Sequence, residues 1–319
     1  MNGFDIYLGK SDISELVESV RLSEAIDDIS YRCDMDLVVT KALQERGIKS
    51  GEAITVIDQE TKQINYQGVL WDIDSSNKGQ KYIAVTAFDR MKYLEESEDE
   101  YLFPEGQTAT QRIKKYCEDW GIPVGSLPET GVLLAKARYR KSAIRDMMQA
   151  DIKETVLKGG KMYKLRLGQT LNLYELGSNK EIPRLLQGEN LVEITQKRTL
   201  TGTVTQVKVL GAEKENDLSP VLTIERKETE EFGTIQKIIQ DEKITNVSEA
   251  KAAARNVLSG VQETVGCKGL DIPSIRAGDK VTLHDWGLLV VAVDRKLGRP
   301  GMMVLILATG GYVRRRFFE

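Results

Sequence analysis

The sequence predicts a mainly β protein in which two similar small antiparallel β-barrel domains flank a middle α+β region. The first reason is a repeat, because Ile48 to Asp58 reads IKSGEAITVID and Ile275 to Asp285 reads IRAGDKVTLHD. An offset of 227 residues holds along both stretches, and each alternates apolar and polar residues with the period of a half-buried strand. The second reason is the segment between the copies, where the spacing of apolar residues becomes helical. So long an offset excludes a solenoid, whose repeats are about 20–50 residues long.

The two copies share the residues that form turns. The shared positions are Gly51 and Gly278, Glu52 and Asp279, and Asp58 and Asp285. Glycine permits a sharp backbone bend, and a neighbouring acid can accept hydrogen bonds from nearby amides. We therefore interpret these six residues as turn chemistry at two equivalent structural corners. The segments that follow, 68–74 and 82–87 in the first copy and 287–294 and 303–308 in the second, give each copy three strands.

The first domain is predicted to span residues 1–103. Alternating segments at 4–8, 16–22 and 32–37 precede the first repeat copy, whose turns are indicated at 58–62 and 77–79. A short helical turn at 88–94 closes the domain. The acidic run from Glu95 to Glu100 is interpreted as a solvated loop between domains, because consecutive carboxylates cannot converge on one metal ion without an ordered loop.

Residues 104–184 are predicted to form the α+β insert. Thr108 and Gln111 have the spacing of a capping box, and a helix with an apolar face follows as far as Gly121. A second helix is predicted from Ser142 to the glycine pair at 159–160. Two alternating segments, 164–167 and 171–176, then predict a hairpin.

The second domain is predicted to span residues 185–319. Strands are indicated at 191–194, 203–209 and 222–226, with a charged turn at 213–217. Asn246 and Glu249 mark the start of an Ala-rich helix from Val247 to Leu258. The second repeat copy and a short tail complete the domain.

Several classes of site are excluded by composition. His284 is the only histidine, and its match to Ile57 in the first copy indicates a filler residue within a strand. The three cysteines are far apart, and we find no nucleotide-binding, zinc-protease or serine-hydrolase motif. We therefore predict no catalytic, cofactor or metal site and no enzymatic activity. No apolar run is long enough to cross a membrane, and the start lacks the features of a signal peptide.

The tail carries a cluster of basic and aromatic residues, which are Arg314, Arg315, Arg316, Phe317 and Phe318. We interpret it as a protein-docking tail. Phosphate binding is the alternative, but the net charge of −3 gives the chain no general attraction to nucleic acid.

A chain that contains two similar domains can form a ring whose apparent symmetry is twice its number of subunits. Each subunit supplies two similar units, so three copies can form a ring with quasi-sixfold symmetry. Such a ring also covers strand edges, which small β-domains must otherwise protect.

The order and spacing of four motifs resemble one family across most of the chain. They are FDRMKYL at 88–94, TQRI at 110–113, CEDWGIP at 117–123, and the Ala-rich helix leading into IRAGDKV at 275–281. In these the chain resembles the XkdQ/YqbQ-type hub proteins of contractile phage tails and phage-like particles. It is more loosely similar to late-control D hubs and to the hub portion of type VI spike proteins.

The resemblance implies a structural baseplate hub of a contractile injection system, in a phage tail or a phage-tail-like bacteriocin. It implies a homotrimer that adapts the sixfold tail tube to a threefold central spike. Tape-measure, LysM-type and other baseplate proteins are further expected partners, and nucleic acid is expected only in passage through the channel. Assembly in the bacterial cytoplasm followed by residence in the virion or particle is the expected localisation, with no membrane partner.

Two other functional classes follow from the residues. A tail-associated protein that binds or degrades peptidoglycan is the first alternative, because 48 acidic residues include many possible carboxylate pairs. A nucleic-acid binder that uses the basic tail is the second.

Overall fold

The computed structural model describes residues 3–28, 30–75, 82–212, 218–240, 244 and 246–318. The predicted turns at 77–79 and 213–217 lie outside this part. The elements up to residue 103 are β1 (Phe4–Leu8), β2 (Ser11–Asp12), a 3-10 turn (Ser14–Leu16), β3 (Val17–Ala25), β4 (Arg32–Val38), α1 (Lys41–Arg46), β5 (Ala53–Asp58), β6 (Ile64–Ser75), β7 (Tyr82–Phe88), α2 (Met91–Glu95) and β8 (Glu98–Phe103).

The insert follows the predicted order of helices and hairpin. Its elements are α3 (Ala109–Asp119), β9 (Ala137–Ala143), α4 (Ile144–Leu157), β10 (Tyr163–Leu167) and β11 (Leu171–Glu175). The capping box is confirmed, because Thr108 Oγ1 accepts from the Gln111 amide while Gln111 Oε1 accepts from the Thr108 amide. The β10–β11 hairpin is confirmed as well.

The remaining elements complete the β-rich second half. They are β12 (Arg184–Leu185), β13 (Leu191–Thr199), β14 (Gln206–Leu210), β15 (Val221–Arg226), α5 (Thr229–Phe232), β16 (Gln236–Gln240), α6 (Val247–Val257), β17 (Gln262–Leu270), β18 (Lys280–Leu283), β19 (Trp286–Lys296), β20 (Met302–Ala308) and α7 (Gly310–Phe317). The predicted Ala-rich helix is α6, and Asn246 caps it through the Glu249 amide.

The mainly β class with an α+β insert is confirmed, and both repeat copies are three-stranded antiparallel meanders, β5–β6–β7 and β18–β19–β20. The two copies share one 13-stranded sheet whose main path runs β13-β17-β20-β19-β3-β4-β7-β6-β5-β1-β2. The pairing of β3 with β19 joins the copies. Among the described residues, no strand pair closes this path at its two ends.

The register extends the duplication from three strands to five. We name β3, β4, β7, β6 and β5 unit 1, and β13, β17, β20, β19 and β18 unit 2. The pairing of the first strand with the second begins at Val17 in unit 1 and at Leu191 in unit 2. In both units a bulge directly follows that first pair. The third and fourth strands also share a bulge, which begins at Leu70 in unit 1 and at Val290 in unit 2. Bulges at matching places indicate that the units follow one backbone plan.

Unit 1, unit 2 and the insert each have their own core of buried apolar residues. One core fills unit 1, another fills unit 2, and a third joins the insert to α2, α7 and one end of β19. Residues between β13 and β17 form a smaller layer, in which α6 covers the three-stranded sheet β15-β14-β16. The strand predicted at 203–209 begins later, as β14, because the Thr203 amide donates to the Leu200 carbonyl in a turn and Val204 forms an isolated bridge with Ser259.

Two interpretations of local structure were wrong. His284 is not within a strand, because Leu283 pairs with Trp286 and leaves His284 and Asp285 as a two-residue turn, with a φ of +52° at the histidine. The acidic run is not wholly a loop either. Its second half begins β8, which pairs with β9, so that alternate side chains reach solvent while the backbone is hydrogen-bonded.

Candidate functional site

The two repeat corners have the same backbone geometry. Gly51 has a φ of +89° and its amide donates to the Leu70 carbonyl at 2.8 Å. Gly278 has a φ of +92° and its amide donates to the Val290 carbonyl at 2.7 Å. Because the backbone at both glycines is in the left-handed region, which side chains with a Cβ rarely adopt, each corner requires glycine.

The acid after each glycine accepts a hydrogen bond from the amide three residues before it. Glu52 accepts from the Lys49 amide at 3.0 Å, and Asp279 accepts from the Arg276 amide at 2.8 Å. Burial would raise the pKa of Glu52, but hydrogen bonds from Arg46 and from the Lys49 amide outweigh it and lower that pKa. The corner acids thus act as the turn acceptors that the repeat suggests.

Asp58 and Asp285 differ in their surroundings. Asp58 Oδ1 accepts from the amides of Glu60 and Thr61, and its other oxygen lies 3.1 Å from Arg299. Asp285 is exposed in the two-residue turn between β18 and β19. The two hairpin turns differ in length. The turn between β5 and β6 is longer than that between β18 and β19, so the Asp58 side chain can accept hydrogen bonds from amides within it.

A buried acid near the second corner connects three parts of the chain. Glu24 of β3 is 3% exposed, and its Oε2 accepts from Arg276 Nε at 2.7 Å and from the Ala277 amide at 3.3 Å. Its Oε1 lies 3.7 Å from Nζ of Lys164, which belongs to β10 of the insert. Unit 1, the insert and the corner of unit 2 therefore meet at one carboxylate.

Arginines extend this contact. Arg166 of β10 donates to Asp279 at 2.9 Å, and its guanidinium stacks 3.5 Å from the Tyr174 ring. The Arg276 guanidinium lies 4.2 Å from the Tyr31 ring. We call Glu24, Lys164, Arg166, Arg276 and Asp279 the three-way junction.

The charges of the three-way junction are mutually dependent. Burial would raise the pKa of Glu24, but Arg276, Lys164 and Arg166 outweigh it and bring that pKa to about 2. Burial lowers the pKa of Lys164, which also donates to the carbonyls of Ala25 and Asp28. Removing one buried partner leaves the others uncompensated, which is the costly case for buried ion pairs. The arrangement suits a rigid joint between parts of the chain rather than proton transfer.

The sequence interpretation missed Glu24 and Lys164. A signal was present, because Val20, Leu22 and Glu24 occupy one face of an alternating strand. A lone acid on an otherwise apolar strand face indicates a buried partner of opposite charge.

Helix α7 places the predicted docking tail against its own chain. Arg314 donates to the carbonyls of Val156 and Gly160 at 2.9 Å and 2.8 Å, and Phe318 is buried in the core shared with the insert. Phe317 packs at the edge of that core, while Arg315 is half-buried. Arg316 is exposed, so it is the member of the predicted tail best placed for an outside contact.

No group of three or more His, Cys, Asp or Glu side chains that could hold a metal ion occurs in the described part of the chain. The three cysteines are free and buried. Within the described ranges we also find no helix with the length and apolar character needed to cross a bilayer.

Comparison with known proteins adds the family. A family model described as YQBQ-like matches residues 20–290. The uncharacterized protein YqbQ of Bacillus subtilis (strain 168) is 23% identical over 279 residues, which cover 83% of this chain and 82% of that protein.

Solved structures add the fold. The 43 kDa tail protein of prophage MuSo2 from Shewanella oneidensis superposes with a TM-score of 0.73 at 13% identity, covering 96% of this chain and 98% of that one. The E. coli c3393 protein superposes with a TM-score of 0.56 at 9% identity, covering 93% and 74%. That protein is described as a component of the type VI secretion system with structural similarity to the T4 bacteriophage tail proteins gp27 and gp5. The fold is thus that of phage tail and type VI secretion proteins, and the chain belongs to the YqbQ-like family.

Proposed function

We propose that the protein is a structural baseplate hub of a contractile injection system. The observation that carries the proposal is the duplicated five-strand unit, whose copies keep the same register and the same bulges. Two similar units in each chain let three chains present six equivalent faces, so one ring can match both a sixfold and a threefold partner.

The proposed ring is a homotrimer that adapts the sixfold tail tube to the threefold central spike. The fold shared with a prophage tail protein and with a type VI secretion component supports placement in a tail or tail-like particle. In such an assembly the three-way junction keeps unit 1, unit 2 and the insert in a fixed relation. A ring that transmits force along the tail requires that rigidity, because the force passes through each subunit.

The test is the mass of the protein in solution and in assembled tails. Light scattering of the purified full chain should give three times the monomer mass of 35.7 kDa, and particle reconstruction should place the chain around the axis between tube and spike. A monomer both in solution and in particles would contradict the proposal.

The peptidoglycan alternative has a separate test. Zymography of the purified chain on peptidoglycan should show no clearing if the protein is structural. A clearing band that disappears when one Glu or Asp is substituted would instead support a wall-degrading enzyme.

A further inference from the structure

We propose that β13 of one subunit adds in an antiparallel register to β6 of a neighbouring copy, and so forms the subunit junction of the ring. This inference rests on the proposed function, and it names the strands and the residue pairs of the interface. It follows from the junction inside the chain, where β3 of unit 1 pairs with β19 of unit 2.

The β3–β19 junction inside the chain shows which strands would form an equivalent junction between two subunits. On the edge of β19 opposite β20, the first residues pair with β18, and Ala292 to Lys296 pair with β3. The matched registers make β13 the counterpart of β3 and β6 the counterpart of β19. Repetition of the same contact from unit 2 to the next unit 1 therefore joins β13 to β6.

Both strand edges are open in the described part of the chain. β13 pairs with β17 and ends the path of the sheet, and beyond a single bridge between Leu191 and Gln187 its other edge has no strand partner. β6 pairs with β5 up to Val69, and no strand pairs with the same edge at Asp72–Ser75. An open edge is a template for another strand, and proteins normally cover it or make it polar.

The counterpart positions fix the register. Ala292 lies opposite Ala25 and Asp294 lies opposite Ser23 within the chain. Transferring these pairs through the matched registers places Asp72 opposite Thr199, and Asp74 opposite Lys197.

Charge supports this register. Asp72 and Asp74 are exposed on β6, and Lys197 is exposed on β13. In the transferred register Lys197 faces Asp74 directly and Asp72 diagonally, whereas the equivalent face of the internal junction has a 2.7 Å ion pair between Arg21 and Asp294. Cross-strand pairs of opposite charge stabilise a sheet, and like charges destabilise it.

Head-to-tail addition of this kind is heterologous, because β13 and β6 are different surfaces. Heterologous contacts form a ring when the rotation closes. The occupant of both edges is therefore a second copy of this chain.

Disulfide trapping tests the register. The variants K197C/D74C and T199C/D72C place cysteines directly opposite each other across the junction, within disulfide reach. The mismatched variants K197C/D72C and T199C/D74C separate them by two residues along the strand, at roughly 7–8 Å. Each variant is oxidised as the full chain, in solution and in assembled tails, and is run on a non-reducing gel.

We expect covalent dimers and trimers from the two matched variants and little product from the two mismatched ones. A trimer by mass with no cross-link in the matched variants would overturn the strand junction and leave the proposed hub intact. Equal cross-linking in all four variants would also overturn it. A monomer in every condition would contradict both proposals.

Charge exchange gives a second readout. K197E and D74K each place like charges across every subunit junction. Each should raise the protein concentration at which half of the chains are assembled by about fivefold. The double variant K197E/D74K should restore the native value. Failure of the double variant to recover, with both single variants folded, would argue against the pairing of these residues.

Discussion

Strands β3 and β13 hold the same place in two units with one plan, yet their burial differs. Each has nine residues with a bulge after the first paired residue. Leu22 and Glu24 of β3 are buried where β19 pairs alongside. Gln196 and Arg198, their counterparts in β13, are exposed. At these two positions, burial in β3 and exposure in β13 coincide with the presence and absence of a paired neighbouring strand in the described part of the chain.

The side chains of the two strands follow that difference. β3 places Val20 and Leu22 on its buried face, whereas β13 reads Thr-Gln-Lys-Arg-Thr over 195–199. Polar and charged residues on an open edge limit unwanted strand pairing. The two units have diverged most at this edge and least at the corners, where backbone conformation alone requires the residue type.

The largest effect is expected at the position where the two strands differ most in charge. Glu24→Gln should lower the free energy of unfolding by about 3–5 kcal/mol, because Lys164 remains buried and Arg276 half-buried without their carboxylate. Arg198→Gln in β13 is the matched control, and its effect should be within about 0.5 kcal/mol for the unassembled chain. Urea denaturation measures both. A loss below about 1 kcal/mol for Glu24→Gln would mean that the three-way junction contributes little.

The corners give the next comparison. Gly278→Val should destabilise the chain by about 2–4 kcal/mol, because a positive φ is combined with a Cβ only 2.7 Å from Leu176 Cδ2. Gly51→Val has the positive φ but nothing within 4 Å of its Cβ, so a cost of about 1–2 kcal/mol is expected. Thermal and urea unfolding should rank the two variants in this order. The reverse order would show that the corners are not supported as the contacts indicate.

Asp89 and Thr309 are counterpart positions in the two units. Each directly follows the third strand, β7 or β20, and precedes a helix. Burial raises the pKa of Asp89 to about 7 despite hydrogen bonds from backbone amides. Since this folded-state pKa lies above the unfolded value near 4, the contribution of Asp89 to stability is largest below about pH 4 and is lost as pH rises through 7. As pH rises from 5 to 8, the free energy of unfolding of Asp89→Asn should therefore increase by about 2 kcal/mol relative to that of the native chain.

Unfolding free energies of both proteins at several pH values test this expectation. Thr309→Val is the control, because no carboxylate is present there and its effect should not change over that range. A difference between the native chain and Asp89→Asn that stays constant with pH would contradict the assigned pKa.

The smallest effect is expected at the cap of α7. Thr309 Oγ1 accepts from the Tyr312 amide at 3.3 Å, so Thr309→Ala should cost about 1 kcal/mol, and Thr309→Ser should retain most of the stability. Thermal unfolding distinguishes the two variants. Equal losses in both would show that the hydroxyl makes no contribution as a cap.

Local chemistry made much of this architecture predictable. The repeat corners, the capping box at Thr108, the Ala-rich helix and the insert hairpin all depend on residues close together in the sequence. The five-strand extent of the duplication was not predictable from the residues. β3 and β13 have few similar side chains, and their equivalence is visible only in their shared bulge and pairing.

The sequence by itself determined the duplication at 48–58 and 275–285, the β-rich class and the turn role of the corner glycines, because strand period and positive-φ turns are local properties. Tertiary structure alone decided that β3 joins the two units, that Glu24 is buried with cations from two other segments, and that β13 ends the sheet formed by the described residues. The physical reason is that strand pairing and charge burial depend on contacts between residues hundreds of positions apart. The pattern within one segment can indicate that a residue is buried, but it does not indicate which distant segment that residue meets.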